Sequence, residues 1–414
     1  MSTRRIVPIA RADATHAAAS ATAADRFLQP GRLRLSALPP LSLYVHFPWC
    51  VRKCPYCDFN SHEIEGEIPE QQYLDALRAD LEQSLPLVWG RRVHTIFIGG
   101  GTPSLLSAAG LDRLLGDIRS RLVVEPDAEI TMEANPGTVE AARFAEYAKS
   151  GVNRISLGIQ SFDDRRLAAL GRIHGRDEAL VAAEIAMRHF DNVNLDMMYA
   201  LPDQSIDECR SDLRSALAIG SSHLSLYHLT IEPNTVFAKF TPAGLPDDDS
   251  AADMQSLIED ETAAAGFEHY EVSAYARPGR QSRHNVNYWS FGDYLGIGAG
   301  AHGKLSFAER VVRQARLKQP ASYLRGALDG SPTAEEREVG PDEIGFEFML
   351  NALRLIDGVP AAVFAERTGT GIASVAGPLE EARRRGLMVA DPTRIATTPL
   401  GMRFLNDVTA LFLP

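Results

Sequence analysis

The sequence predicts an α/β fold: a partial barrel of six strand–helix units, of (β/α)6 type, over residues 40–305, then a small winged-helix-like α+β domain over 338–414. Two observations predict it. From residue 41, short runs rich in Ile, Leu and Val alternate with amphipathic stretches, the pattern of βαβ units and a parallel sheet. After residue 338 the order becomes three helices, a short β pair and a closing helix. Residues 306–337 read as a linker.

Taken in order, residues 1–39 differ in kind from the rest. They are rich in alanine, carry Arg4, Arg5 and Arg11, and run into Pro39-Pro40. No continuous apolar core of a signal peptide is present. The stretch reads as a flexible extension, with an organelle transit peptide as the alternative. Strands are expected at 43–47, 95–98, 129–134, 154–159, 192–198 and 224–229. Helices such as YLDALRADLEQSL and LDRLLGDIRSRL fall between them. Most polar signals sit at the carboxyl ends of these strands, where barrels and open parallel sheets place their sites.

Composition narrows the function classes. The 414-residue chain is 45% hydrophobic and 23% charged, ordinary values for a globular protein. A net charge of −12 argues against nucleic-acid binding, which calls for a basic surface. No run of 18 apolar residues suggests a membrane span. Four cysteines cannot staple a chain this long, so free thiols in a reducing, cytoplasmic setting are expected.

Three of those cysteines are clustered: Cys50, Cys54 and Cys57, spaced C-x3-C-x2-C in CVRKCPYC. A [4Fe–4S] cluster usually takes four thiolates. Three leave one iron open, and S-adenosylmethionine (SAM) could hold it by its amino and carboxylate groups. Structural zinc wants four ligands and finds no second pair here, although His46 and His62 flank the motif. A dithiol motif would use Cys54 and Cys57 alone and leave Cys50 unexplained. Cys209, within SIDECRSDLRSAL, reads as an ordinary helix cysteine.

The strand ends supply further candidates. Gly99-Gly100-Gly101-Thr102-Pro103 follows the second strand; glycines there let a ligand approach the backbone, or simply make a tight turn. It is no dinucleotide fingerprint, since G-x-G-x-x-G is absent. Glu133, in TMEANPG, could accept hydrogen bonds from ribose hydroxyls, or cap the segment after its strand. Gln160 ends LGIQSF, Arg172 lies in LGRIHG, and Asp196 lies in NLDMMYALP. Each has a structural reading of its own. Convergence on one barrel mouth raises the functional one.

HFPWCVRKCPYCDFNSH, IGGGTPSLL, EANPGT, NRISLGIQSF, LGRIHG, NLDMMYALP and LTIEPNT together resemble the radical SAM family. More narrowly, they resemble the branch of oxygen-independent coproporphyrinogen III oxidase and its haem-chaperone relative, over about residues 41–412. The resemblance implies that Cys50, Cys54 and Cys57 bind the cluster. It places Tyr44 and Tyr56 beside SAM, and Gly100, Gly101 and Thr102 at its methionine amino group. It puts Glu133 near the ribose, with Gln160, Arg172 and Asp196 helping to hold SAM. The implied chemistry is one-electron reduction of the cluster and cleavage of the sulfonium to methionine and a 5′-deoxyadenosyl radical. The protein's part is to hold the sulfonium against the cluster and exclude water.

Within the branch, the oxidase resembles C-x3-C-x2-C-x-C, whereas this chain has Phe59 at the last position, as the haem-chaperone type does. The alanine-rich start is also unlike the oxidase's long N-terminal segment. The run His284-Asn285-Val286-Asn287-Tyr288-Trp289 resembles the HNxxYW motif of the haem chaperones. It makes His284 the candidate haem ligand, with Tyr288 and Trp289 able to pack on the macrocycle. From spacing alone, a core histidine beside two aromatics is the simpler reading. His302, in GIGAGAH, is a second candidate, and Ile297 and Gly298 could touch the adenine.

Arg383, Arg384 and Arg385 make a thin basic patch on the C-terminal domain, which in this family is associated with substrate closure or partner contact. Asp247-Asp248-Asp249 reads as a solvated helix start. The expectation is a chaperone that binds haem, a [4Fe–4S] cluster and SAM, and delivers haem to haem-dependent, chiefly respiratory, proteins. An electron donor for the cluster is implied, a homodimer is compatible, and partners could bring the protein to the membrane periphery. The alternatives are radical decarboxylation of coproporphyrinogen III and another radical transfer on an unknown substrate.

Overall fold

A computed structural model describes residues 27, 29–137 and 141–414. Twelve strands form one open sheet. They are β1 (Leu41–Phe47), β2 (Arg92–Gly100), β3 (Val123–Ala134), β4 (Arg154–Gln160), β5 (Val193–Tyr199), β6 (His223–His228), β7 (Glu268–Glu271), β8 (Ala274–Ala276), β9 (Asp293–Ile297), β10 (His302–Phe307), β11 (Arg310–Arg316) and β12 (Thr333–Glu338). Their spatial order is β12-β11-β10-β9-β1-β2-β3-β4-β5-β6-β8-β7. Strands β1 to β6 run parallel in chain order, and each overlaps one of the six expected strands. Strand β9 adds a seventh parallel strand beside β1.

The inserted helices include α1 (Glu70–Ser84), α2 (Ala108–Arg119), α3 (Phe144–Ser150), α4 (Arg176–His189) and α5 (Ile206–Ile219). Strand alternation explains how they attach. Leu41, Leu43, Val45 and Phe47 alternate with Ser42, Tyr44 and His46 along β1, and Ile96 and Ile98 alternate with Thr95 and Phe97 along β2. The aliphatic set joins Leu74, Leu77 and Leu81 of α1 and Leu111, Leu115 and Ile118 of α2 in the main core. Local sequence sets the helix ends. Ser107 caps α2 by accepting from the Gly110 N–H at 2.9 Å. Ser205 and Glu208 form a capping box at α5, which stops at Gly220 with φ +78°.

Two expectations are corrected. Residues 306–337 are built into the sheet: β11 and β12 pair antiparallel, and α9 (Pro320–Leu328) lies between them. Charge hides them in the sequence, since β11 reads RVVRQAR and β12 reads TAEERE. Residues 1–26 and 28 of the expected flexible extension lie outside the described residues. Its remainder is a strap rather than a loose end. Leu33 and Leu35 are buried, and their N–H groups donate to Glu309 O (3.0 Å) and Ala308 O (2.9 Å). Between them, Arg34 N–H donates to Gly369 O at 3.1 Å.

The C-terminal region contains α10 (Pro341–Ala352), α11 (Ala362–Thr368) and α12 (Ala376–Arg384), with a Met388–Thr397 bridge where a wing is expected. Its core of Phe348, Phe364, Leu379 and Val408 also takes in Leu33, Val311 and Phe291, so it is continuous with the sheet side. The apparent basic patch is largely spent internally: Arg384 and Arg385 pair with Glu381, and Arg383 donates to Val389 O.

HNVNYW forms α8 (Arg283–Trp289), with α6 (Val236–Lys239) and α7 (Asp248–Ala264) preceding it in the chain. The Glu129 carboxylate accepts from the N–H groups of Arg283 and His284, both at 3.1 Å. Thr95 Oγ1 donates to Ser42 Oγ at 2.7 Å and sits 2.9 Å from His284 Nδ1. Asn287 Nδ2 donates to Ser42 Oγ at 2.8 Å. The Arg354 guanidinium lies 4.3 Å from the Trp289 ring centre. The helix therefore closes the amino side of the central strands and joins the C-terminal core. Burial pushes the His284 pKa down to about 3. Replacing His284 by Ala removes a buried hydrogen bond to Thr95 and leaves a void beside Phe97, and should cost about 1–3 kcal/mol. Denaturant midpoints would show the loss, while the iron content of reconstituted protein should not change.

Candidate cofactor site

A cavity of about 390 Å³ opens at the carboxyl ends of β1 to β6. Cys50, Cys54, Tyr56, Cys57 and Phe59 line it from the segment after β1, and Gly100, Gly101 and Thr102 from the end of β2. Glu133, Gln160, Arg172 and Asp196, also expected from sequence, join them. Asn135, Ser156, Met198, Tyr227 and His228 also line it and were not singled out from sequence. Asn135, Ser156 and Met198 lie within the quoted runs EANPGT, NRISLGIQSF and NLDMMYALP, whereas Tyr227 and His228 lie in none of the quoted runs.

Backbone and side-chain bonds fix the cysteine loop. Cys57 N–H donates to Cys54 O at 3.1 Å, and Lys53 Nζ donates to the carbonyls of Phe59 (3.1 Å) and Ser61 (3.0 Å). Asn60 Nδ2 reaches Ala299 O and Lys318 O, each at 2.9 Å. All three thiols are free and half-buried. Burial raises the Cys50 pKa, and a hydrogen bond with Thr102 works against that rise. Cys209 is buried on α5, outside the cavity wall, and burial pushes its thiol up to about 12.

The glycines are required by close approach. Gly100 has φ +116°, and a Cβ there would lie 2.6 Å from the His46 ring. At Gly101 it would lie 2.5 Å from Trp49 O. The amides of this stretch are already engaged. Gly100 N–H donates to Glu133 Oε2 (3.0 Å), Gly101 N–H to Phe47 O (2.7 Å) and Thr102 N–H to Trp49 O (2.7 Å). The stretch thus has acceptors rather than donors to offer, the chemistry an ammonium group needs.

A hydrogen-bonded chain links this stretch to the cysteines. Asn135 Nδ2 donates to Thr102 Oγ1 at 2.9 Å and Asn135 Oδ1 accepts from Arg172 Nη2 at 2.7 Å. Arg172 also donates to Gly158 O at 2.7 Å and reaches Cys54 Sγ at 3.6 Å. Burial works against its charge, yet Tyr56 and Cys54 beside it hold its pKa above the ordinary value. Gln160, the last residue of β4 and part of the cavity wall, has φ +70°, a strained value for a non-glycine residue.

Two acids share the floor. Burial, then the nearby Asp196, push Glu133 up to about 8, while the Gly100 amide and Arg154 act in the other direction. Asp196 is also raised by burial, opposed by bonds from Ser156 Oγ and Asn194 Nδ2, each 2.8 Å.

Other expected residues lie elsewhere. Tyr44 is not on the cavity wall; its hydroxyl is 2.9 Å from His46 Nδ1, below the glycine stretch. Gly298 N–H donates to Tyr323 Oη at 3.0 Å, and neither it nor Ile297 lines the cavity. His302 is exposed at the start of β10, away from the wall. His284, Tyr288 and Trp289 stand at the opposite end of the strands. The His284 ring is buried and engaged by Thr95, so this geometry does not present it to haem iron.

The donor set fits an iron–sulfur cluster. Among the described residues, no three His, Cys, Asp or Glu side chains gather closely enough for a single metal ion. Three free thiols line one cavity, the donor type an iron–sulfur cluster takes. The carboxylates, Arg172 and the glycine acceptors leave room and chemistry for a charged ligand beside it.

Comparison with known proteins agrees. Residues 44–216 match the radical SAM superfamily, and residues 339–404 match the HemN C-terminal domain. The chain is 49% identical over 381 residues to the heme chaperone HemW of Escherichia coli (strain K12), covering 91% of this chain and 99% of that protein. It is 46% identical to the heme chaperone HemW of Haemophilus influenzae, with 91% and 98% covered. For the heme chaperone HemW of Bacillus subtilis the identity is 34%, with 90% and 99% covered. The structure of the radical SAM enzyme coproporphyrinogen III oxidase (HemN) from Escherichia coli shares the fold, with TM-score 0.78, 22% identity, and 91% and 90% covered. With its cysteine-lined cavity on a radical SAM fold and relatives matched over nine-tenths of its length, this chain belongs to the HemW family of the radical SAM superfamily.

Proposed function

We propose that this protein carries haem and hands it to haem-dependent proteins, chiefly respiratory ones, from a radical SAM scaffold. Cys50, Cys54 and Cys57 hold a [4Fe–4S] cluster in this reading, and SAM occupies the rest of the cavity. When bound, the pair supplies one-electron chemistry at the SAM sulfonium. The chain's own residues do the rest. The glycine acceptors take the amino group, and Glu133 and Asp196 take hydroxyls. Arg172 holds Cys54 and Asn135 in register, and Tyr56 shields the thiols. The observation that carries the reading is the convergence of three free thiols, Arg172 and the two acids on one cavity wall, in a chain whose relatives are heme chaperones. Free thiols favour a reducing compartment such as the cytoplasm. Among the described residues, no helix is long and apolar enough to cross a membrane.

Cys54→Ala should abolish cluster assembly, because three thiolates leave no spare ligand; Cys209→Ala should retain full iron and sulfide. Iron and sulfide assays after anaerobic reconstitution decide it, and a Cys54→Ala protein with a complete cluster would remove the assignment.

Glu133 gives the ligand-free protein a pH signature. Its folded pKa of about 8 exceeds the ordinary carboxylate value of about 4.3. Between these values the folded chain keeps a proton that the unfolded chain has lost. Stability from this group therefore falls as pH rises from about 4.5 to about 8. Glu133→Gln should gain melting temperature relative to wild type between pH 6 and pH 8.5. Parallel curves would contradict the shift.

The carrier reading predicts stoichiometric haem binding and no turnover of coproporphyrinogen III. Anaerobic assays with reductant and SAM, followed by porphyrin chromatography, separate the two. Many turnovers to protoporphyrinogen IX would replace this reading with the oxidase.

A further inference from the structure

Five large apolar side chains stand in solvent on the loops that follow β1, β4 and β6: Val51, Phe59, Ile173, Val236 and Phe240, each 50–66% exposed, and Phe59 lines the cavity itself. Val51 and Phe59 lie at the two ends of the cysteine loop, and Ile173 directly follows Arg172. Val236 begins α6 and Phe240 follows it. Two of these segments close on the third at one residue. Phe237 N–H of α6 donates to Pro55 O at 3.0 Å. A Cβ at Gly171 would lie 2.7 Å from Pro55 Cδ. The loops after β1, β4 and β6 thus meet at Pro55, between Cys54 and Cys57, and carry their exposed apolar groups to one rim. Behind them Tyr56, Leu170, Met198, Leu229 and Phe237 pack into a small core beneath the rim.

Exposed apolar surface gathered around a cavity marks a binding site rather than ordinary surface. The three loops meet at Pro55 on the cavity side of the sheet and present their apolar groups together, a surface for a flat ligand laid across the mouth. Arg52 is exposed on the same wall and has no ion pair among the described residues, while Asp58 and Glu232 also line the cavity. We infer that this apolar collar seats the face of haem across the cavity mouth, with a propionate on Arg52. The inference rests on the haem-carrier reading above. The cluster and SAM fill the interior, so the macrocycle covers it from outside. The apolar ring loses water against the collar, and the carboxylate gains a charge-assisted partner at its edge.

The test uses full-length reconstituted wild type, Phe240→Ser, Val236→Ser, the double variant and Arg52→Ala. Haem is titrated and followed by its Soret absorbance. Cluster absorbance and calorimetric SAM binding report that each variant is intact; Val236 and Phe240 lie off the cavity wall, so their replacement should leave both unchanged. Each apolar replacement should weaken haem binding about tenfold, or about 1.4 kcal/mol. The double variant should lose more, and Arg52→Ala less. If wild type binds no haem, the carrier reading falls and the collar with it. If wild type binds haem and the double variant binds it equally, the collar inference alone is overturned. Unchanged haem affinity with lost transfer to an apoprotein would likewise overturn it and make the collar a protein-docking face.

Discussion

A buried polar group must find a partner, and the parallel sheet turns that rule into a site. Along β1 to β6, aliphatic residues pack against the helices while Ser42, Thr95, Thr131, Glu133, Ser156, Asn194, Asp196 and Ser225 occupy the alternate positions. The interior can stay polar only because its members bond across strands. His223 Nδ1 lies 2.6 Å from Asn194 Oδ1, Ser156 bonds Asp196, and Thr95 bonds Ser42. Nearer the mouth the same requirement draws Asn135, Arg172 and Thr102 into one chain ending at Cys54. Cavity, loop and thiol positions all depend on that inward set.

Much of this was legible because it is local. A β-branched run between amphipathic stretches specifies its own strand, and β1 to β6 were each readable in part, though the seventh parallel strand, β9, was not. Cys50, Cys54, Cys57, Glu133 and Arg172 were readable because each carries unusual chemistry at a strand end. Strands β7 to β12 were not anticipated; β8 and β9 are short apolar runs of three and five residues, and the pattern of β11 and β12 is overwritten by charge. The Arg, Gln and Glu side chains of β11 and β12 pair across the sheet edge, as Gln314 does with Glu336, and no window of sequence reveals that. Tyr227 and Met198 reach the cavity through sheet register, a property of strands far apart in the chain.

HNVNYW shows where a motif and a location part company. Its resemblance pointed to haem, yet its side chains close the amino ends of the strands. Asn287 is held by Ser42, His284 by Thr95 and Glu129, and Trp289 by Arg354. The plain physical reading, a histidine fixed among aromatics and hydroxyls, describes its surroundings. A motif can serve a site without touching its ligand: a closed lower end is what lets the upper end stay open.

The strap formed by residues 29–35 bears on how cargo enters and leaves. It is bonded on one side to Ala308 and Glu309 and on the other to Gly369, and its leucines lie in the C-terminal core. Such a double attachment removes a hinge between the two regions. Exchange at the mouth must then proceed by local motion of the rim loops, on the nanosecond-to-microsecond scale of loops rather than the slower scale of domain rotation. Residence time would be set by how strongly the cargo is held, not by how often the molecule opens.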